Sequence, residues 1–248
     1  MTSYNVYWDN GGGTTSIALL DSLVTTLSVP GLTGGVTYRF KVRAKNRYGA
    51  GAFSTELAVL ASDRPDAVAI PSVSIGAAAT NVVITWTAPD EHSATIDSYE
   101  VLLRLADGTY AAACDGTSAA IVAALSCSVQ MVTVAATTGL SIDSLIRVRV
   151  RAHNSNGWGA YSELNTVGAT IEKPPSQMAP PTFDIATSSV SQVVLSWTLV
   201  SGVAAGGSSL TLSNYVLEWD GGTGTWTTLL TTTSTGAIST GLTGGTTY

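Results

Sequence analysis

The stretch GLTGGVTY at residues 31–38 returns near the other end of the chain as GLTGGTTY at residues 241–248, with one substitution. The two copies begin 210 residues apart, and a degenerate third copy lies between them. The repeating unit is therefore roughly 105 residues long, which is the size of one small domain. Self-similarity at a fixed period predicts a tandem array in which each complete unit has its own core.

The composition is typical of folded proteins that are rich in strands and turns. Of the 248 residues, 45% are hydrophobic, only 11% are charged and 25 are glycine. Helices favour Glu, Lys and Leu, whereas this chain relies on Thr, Ser, Ala and Gly. The net charge of −6 disfavours a general nucleic-acid binder, because phosphate contacts need a surplus of Lys and Arg. The sequence has no run of about 18 apolar residues that would span a membrane.

Three runs in the central part of the chain alternate between apolar and polar residues. Alternation with a period of two, bounded by turn residues, predicts strands with one buried face. We therefore expect one face of each run to enter a core and the other to meet solvent or a partner. The apolar positions are Val82, Ile84 and Trp86 in the first run, Tyr99, Val101 and Leu103 in the second, and Ile146, Val148, Val150 and Ala152 in the third.

The same pattern divides the chain into three segments, separated by short joints that contain proline. We expect a partial unit at residues 1–64 that lacks its first two strands, a complete unit at 65–173, and a partial unit at 174–248 that lacks its last two strands. Both partial units are expected to keep the third to fifth strands, so the tail of one copy cannot simply complete the head of another. We therefore expect the sequence to be a window on a longer chain. Proline in the short joints favours a semi-rigid, extended string.

These residues resemble fibronectin type III domains. The most specific match is Ala-x-Asn-x-x-Gly followed by Ser, present at residues 44–54 and again, with identical spacing, at 152–162. The resemblance implies an all-β fold of tandem immunoglobulin-like (fibronectin type III) β-sandwiches, one complete and two partial. It also implies a tyrosine-corner hydrogen bond at Tyr38, which the central unit lacks because Ile146 occupies that position. The aromatic core signature that the resemblance assigns is Tyr38, Trp86, Tyr99, Trp197 and Tyr215.

The two cysteines of the chain, Cys114 and Cys127, flank the apolar run at residues 119–125 of the central unit. If they lie on strands that pair or face each other across the sandwich, a disulfide is within reach. The alternative is a pair of free, buried thiols. The turn sequence that begins at Cys114 favours the disulfide, since an exposed thiol there would be reactive. The pattern resembles a variant found in large surface or secreted proteins of single-celled eukaryotes, and a disulfide indicates a compartment outside the cytosol.

Basic residues are concentrated on one face of two predicted strands. One hypothesis is that these stripes bind an anionic glycan or an acidic patch of another chain. The alternative is that they pair with acidic neighbours on the adjacent strand, such as Asp9 and Glu100, and keep the sheet soluble. The residues of the two stripes are Arg39, Lys41, Arg43 and Lys45 in the first unit, and Arg147, Arg149 and Arg151 in the central unit.

The sequence contains no recognisable catalytic or metal-binding constellation. His92 and His153 are its only histidines, and neither has the spacing of a zinc site or a catalytic triad. The adjacent carboxylates Asp90 and Glu91 are too few to bind calcium. We therefore expect no catalytic residues, no metal site and no cofactor.

Repetition, short proline joints and the lack of catalytic groups favour a non-enzymatic structural or interaction protein. The expected role is that of a spacer, adhesive stalk or surface-filament subunit within a long array, located outside the cell or at its surface. Other copies or repeats of the array, an anionic glycan or a protein ligand are the expected partners, and nucleic acid is not. The alternatives are an accessory spacer module of a secreted carbohydrate-active enzyme and a receptor ectodomain.

Overall fold

The computed structural model describes residues 1–77 and 80–240, and for residues 238–240 it describes the backbone alone. This part of the chain forms seventeen strands, two short α-helices and one 3-10 turn, and all the strand pairs are antiparallel. The sheets fall into three groups that follow the three sequence segments. The all-β fold that the strand patterns predict is confirmed.

The first unit is a single twisted sheet in which the long strand β3 is central. Its strands run in the order β2-β1-β3-β4, and β5 pairs with the first half of β3. The register places Tyr4 opposite Ala44 and Trp8 opposite Phe40. The strands are β1 (Ser3–Trp8), β2 (Ile17–Ser22), β3 (Thr37–Asn46), β4 (Gly49–Ala50) and β5 (Leu57–Leu60).

The fifth strand that the sequence predicted for the first unit is not formed. Residues 23–36 contain no strand, and Leu23, Val24 and Leu27 are exposed. In the central and third units the corresponding strands, β10 and β17, hydrogen-bond to the second strand of the same unit. The first unit has no second strand, so its fifth strand has no backbone partner, and an unpaired strand is not stable in water.

The central unit is a complete sandwich of two sheets. One sheet has the order β10-β7-β6 and the other has the order β12-β11-β8-β9. The elements are β6 (Ser72–Ile75), β7 (Asn81–Thr85), β8 (Ser98–Arg104), β9 (Tyr110–Ala112), α1 (Ala119–Ala124), β10 (Ser126–Gln130), α2 (Met131–Thr138), β11 (Val148–Asn154) and β12 (Gly157–Trp158).

The core between these two sheets includes the residues that alternation predicted to face inward. Val82, Ile84, Val148, Val150 and Ala152 are completely buried. Trp86 stacks at a tilt on Tyr99, with ring centroids 5.2 Å apart, at the centre of the sandwich. Each fully buried aliphatic side chain contributes about 1.5–3 kcal/mol of transfer free energy, so this unit carries most of the hydrophobic stabilisation.

The apolar run between the two cysteines is a helix, and the hypothesis that both cysteines lie on strands is wrong. The run consists of α1 and the residue after it, Leu125. Leu125 has a left-handed φ of 51° and closes the helix. Alanine-rich segments favour helix. Only Cys127 lies on a strand, β10, whereas Cys114 lies in the loop that follows β9.

The third unit has two small sheets, of order β13-β14-β17 and β15-β16. Its third to fifth strands are present, as predicted for this segment. Trp197 and Tyr215 repeat the central aromatic pair, with centroids 5.7 Å apart. Leu242 and Tyr248 of the terminal GLTGGTTY lie outside the described residues. The strands are β13 (Thr182–Phe183), β14 (Gln192–Ser196), β15 (Tyr215–Trp219), β16 (Thr227–Thr232) and β17 (Gly236–Thr240), and a 3-10 turn covers Gly202–Ala205.

Candidate interaction surfaces

Two arginines of the central stripe are stacked between aromatic rings. The Arg149 guanidinium lies 3.5 Å from the ring centroid of Tyr110 and 3.9 Å from that of Tyr161. Arg151 lies between Tyr161 and Trp158, at 4.4 and 4.6 Å. We call these five side chains the arginine–aromatic ladder. Each such contact is worth about 0.5–1 kcal/mol at an exposed site, so the ladder stabilises the outer face of the sheet.

The carboxylate of Glu100 binds the ladder from the neighbouring strand. Arg151 Nε donates to Glu100 Oε2 at 2.6 Å, and the Tyr161 hydroxyl donates to the same oxygen. Burial is the largest influence on the pKa of Glu100 and raises it, but these two hydrogen bonds and the charge of Arg151 together bring it below its ordinary value. Burial and the bond to Glu100 raise the pKa of Tyr161. The charge of Arg151 is thus largely compensated within the sheet.

The basic stripe of the first unit, on β3, is also in contact with neighbouring side chains. Arg39 Nη1 lies 3.4 Å from Asp9 Oδ2, and Lys45 Nζ lies 4.0 Å from Asp21 Oδ2. Lys41 and Arg43 both lie over the Phe53 ring, at 4.9 and 4.5 Å. Arg43 Nε also donates to Asn5 Oδ1 at 3.3 Å. Most of this stripe therefore takes part in cross-strand contacts like those of the central unit.

Among the carboxylates that contact the two stripes, that of Asp9 is the most buried. It accepts backbone N–H bonds from Gly11 and Gly13 in the following turn, and from Arg39 across the sheet. The bond from the Arg39 N–H is the main reason why the pKa of Asp9 is lowered. A carboxylate with three N–H donors and a guanidinium stays ionised without solvent, which explains how an aspartate occupies a buried strand end.

Four of the five aromatic signature residues are buried, and Trp197 is half-buried. Tyr38 is 5% exposed, stacks on Trp8 with centroids 5.8 Å apart, and accepts a hydrogen bond from the Thr33 N–H at 2.9 Å. In the central unit Ile146 fills the corresponding position and is completely buried. There the Asn165 amide donates to Ile146 O and accepts from the Val148 N–H, so a buried asparagine makes the local backbone contacts. Sequence reasoning missed Asn165, because a single polar residue has no periodic signal.

The two cysteines form a disulfide, as one of the two sequence alternatives predicted. Their Cα atoms are 6.5 Å apart, within the range that a disulfide spans. Cys127 is almost completely buried, whereas Cys114 is half-buried in its loop. The bond therefore fastens α1 and its flanking loop to strand β10 of the sandwich.

Direct contacts hold the first and central units together at their boundary, which we call the first joint. Asp63 N–H donates to His92 O at 3.3 Å, and Asn154 Nδ2 donates to Asp63 O at 2.7 Å. Gly34 and Gly35, from the repeated GLTGG motif, lie so close to Ser93 that a Cβ on Gly35 would come within 3.3 Å of its hydroxyl.

The second joint, between the central and third units, has the same plan. Asp143 accepts hydrogen bonds from the backbone and hydroxyl of Ser208, at 2.7 and 2.6 Å, and these bonds lower the pKa of Asp143. Lys173 N–H donates to Gly206 O at 3.0 Å. A Cβ on Gly206 would lie 1.9 Å from Lys173 O, so glycine is needed for this approach. In both joints, the loop before the third strand of one unit contacts the linker and a loop of the preceding unit.

Residues 1–77 and 80–240 hold no cluster of three His, Cys, Asp or Glu side chains suited to a metal ion. No helix in this part of the chain is long and apolar enough to cross a membrane.

Comparison with known proteins places the central unit in a family. The model of the fibronectin type III domain matches residues 66–167. Protein sidekick-1 of Gallus gallus is 31% identical over 149 residues, which are 58% of this chain and 6% of that protein. The chain therefore spans only a small fraction of the length of this relative.

Two solved structures are similar at low sequence identity. The crystal structure of the chicken CNTN1 FN1-FN3 domains has a TM-score of 0.36 and 16% identity, with 99% of this chain and 80% of that chain covered. The sixth fibronectin type III domain from human fibronectin type III domain containing protein 3 has a TM-score of 0.34 and 22% identity, with 47% and 95% covered. The family match at residues 66–167 identifies the central unit, with its two antiparallel sheets, as a fibronectin type III domain.

Proposed function

We propose that this chain is a non-enzymatic, semi-rigid spacer segment in an extracellular array of fibronectin type III domains. The proposed units are residues 1–64, 65–173 and 174–248. The observation that carries the proposal is the recurrence of one joint geometry at both boundaries. A short linker alone restricts the distance between neighbours, but hydrogen bonds from a loop of the next unit also restrict their angle.

The disulfide supports the extracellular location, because disulfides persist in oxidising compartments. The likeness to surface proteins of single-celled eukaryotes, the role of filament subunit and the binding of other copies stay predictions.

Rigidity of the second joint is testable by ¹⁵N relaxation and small-angle X-ray scattering of the chain and its Asp143→Ala variant. We expect the central and third units of the unmodified chain to tumble as one body. Asp143→Ala removes both bonds to Ser208, so the two units should acquire separate correlation times and the scattering should show a wider distribution of dimensions.

The matched control is Asp115→Ala. Asp115 makes the same kind of bonds, but to Thr117 of its own turn and not across a joint. The control should tumble like the unmodified chain. Independent tumbling of the two units in the unmodified chain would contradict the proposal.

A further inference from the structure

The first and central units differ in charge at one equivalent pair of positions. In the first unit, the Asp9 N–H donates to Arg39 O at 3.1 Å. In the central unit, the Arg104 N–H donates to Arg147 O at 2.9 Å. Arg104 therefore stands where the first unit has Asp9, and Arg147 stands where it has Arg39. An ion pair in one repeat is replaced by two arginines in the other.

Two like charges at neighbouring positions of adjacent strands repel each other and destabilise a sheet. Within the described residues, the side chains of Arg104 and Arg147 make no ion pair, hydrogen bond or ring contact. This distinguishes them from Arg149 and Arg151 on the same sheet, which are held in the arginine–aromatic ladder. The cationic pair is thus uncompensated by the fold, and an anion from outside the chain would relieve it.

A cleft of about 330 Å³ lies beside the pair. Arg104 and Arg147 line it, together with the turn at residues 105–108 and the aliphatic side chains of Leu140 and Leu145. Its one carboxylate, Asp107, is occupied by the backbone and hydroxyl of Thr109, at 2.8 and 2.7 Å. Two guanidiniums against one carboxylate leave the cleft with a net positive charge.

We propose that this cleft binds an acidic sugar residue whose carboxylate or sulfate group lies between Arg104 and Arg147. Guanidinium groups present paired N–H donors that bind two oxygens of such anions at once. The first unit shows that a carboxylate fits this strand position, since Asp9 occupies it against Arg39. The volume favours a sugar over an acidic side chain, because it reaches the range of pockets that take small ring-bearing ligands. The aliphatic wall offers a surface for the sugar ring.

The test is isothermal titration calorimetry of the intact chain with three probes at physiological salt. A chondroitin sulfate hexasaccharide carries carboxylates and sulfates, and a hyaluronan hexasaccharide carries only carboxylates. Hexaglutamate carries the same charge as the chondroitin sulfate hexasaccharide but has no sugar. We expect the first probe to bind, and the second to bind as well if a carboxylate suffices. Binding of hexaglutamate alone, or of none of the three, would overturn the proposal.

Arg104→Asp is the decisive variant, because it rebuilds in the central unit the ion pair of the first unit. The variant should be at least as stable to urea as the unmodified chain. It should bind the saccharide at least about tenfold more weakly. Arg47→Asp makes the same change in charge at an exposed turn of the first unit and should alter binding less than about twofold. An equal loss in both variants would mean non-specific attraction and would refute a site. The result is independent of the spacer role, since neither substitution touches a joint.

Discussion

At the scale of single residues, the role of the basic stripes follows from the side chains that they contact and not from their positions in the sequence. Arg149 and Arg151 lie on the outer face that alternation predicted, but their charges meet aromatic rings and Glu100. The alternation of β11 predicted the direction of these side chains, because it follows from the pleat of one strand. Their partners were not predictable, because Glu100 and Tyr110 lie on other strands and Tyr161 lies in a segment without regular structure.

His92 provides a prediction at this scale. Its Nε2 lies 3.0 Å from Asp66 Oδ1, and this hydrogen bond is the main reason why the pKa of His92 is raised above 6.5. A raised pKa in the folded state means that the pair stabilises the fold fully below pH 6.5 and that this contribution is lost as the pH rises through the raised pKa. We expect the unfolding free energy of the central unit to fall over that range, and to fall less in His92→Gln, as measured by urea denaturation at several pH values.

Asp66→Asn should flatten the same profile, because it removes the other partner of the hydrogen bond. A His92→Gln variant whose stability still falls as steeply as that of the unmodified chain would show that another group is responsible.

At the scale of elements, the position of a strand depends on its neighbours. Strand β10 forms because β7 supplies its backbone partners, whereas residues 23–36 of the first unit have no such neighbour and form no strand. Helix α1, in contrast, needs no strand partner. An alanine-rich apolar run between two cysteines folds into this helix, which packs near the core. The disulfide then joins this local element to the sheet.

Loss of the disulfide should weaken the central unit. The bond closes a loop between residues 13 positions apart, and a loop of that size stabilises by about 3 kcal/mol in the chain-entropy model. We expect the double variant Cys114→Ser, Cys127→Ser to lose about this much unfolding free energy in urea titrations. Added reductant should destabilise the unmodified chain but leave the double variant unchanged, and equal stability of the two without reductant would contradict the prediction.

At the scale of the whole molecule, the hydrophobic core belongs mainly to one unit. All members of the main buried cluster lie between Val68 and Ile171. Elsewhere in the described residues, the buried hydrophobic side chains are Tyr38, Ala205 and Tyr215. The first unit consists of one sheet, and Val42, Val59 and Leu60 of that sheet are exposed. Stability is therefore expected to vary strongly along the chain.

Hydrogen exchange measured by mass spectrometry should reveal this gradient. Amides of β8 and β11 should exchange most slowly, because opening them exposes the complete core. Amides of β1 and β3 should exchange faster although their ladder is equally regular, and those of β15 and β16 should also exchange faster. Equal protection of β1–β3 and β8–β11 would show that stability follows the hydrogen-bond ladder and not the burial of apolar side chains.

The sequence by itself determined the repeat, the all-β class and the buried face of each long strand, since these depend on a period that is local to the chain. Trp86 and Tyr99 were predicted as core residues for the same reason, Tyr38 was assigned by the family resemblance, and all three are buried. Only the tertiary structure decided which charged side chains have partners and which contacts hold neighbouring units together at the two joints. The GLTGG motif meets the loop at Ser93, and Arg104 meets Arg147, across more than forty residues of intervening chain. Contacts between distant segments depend on strand register and loop packing, and no local pattern encodes them.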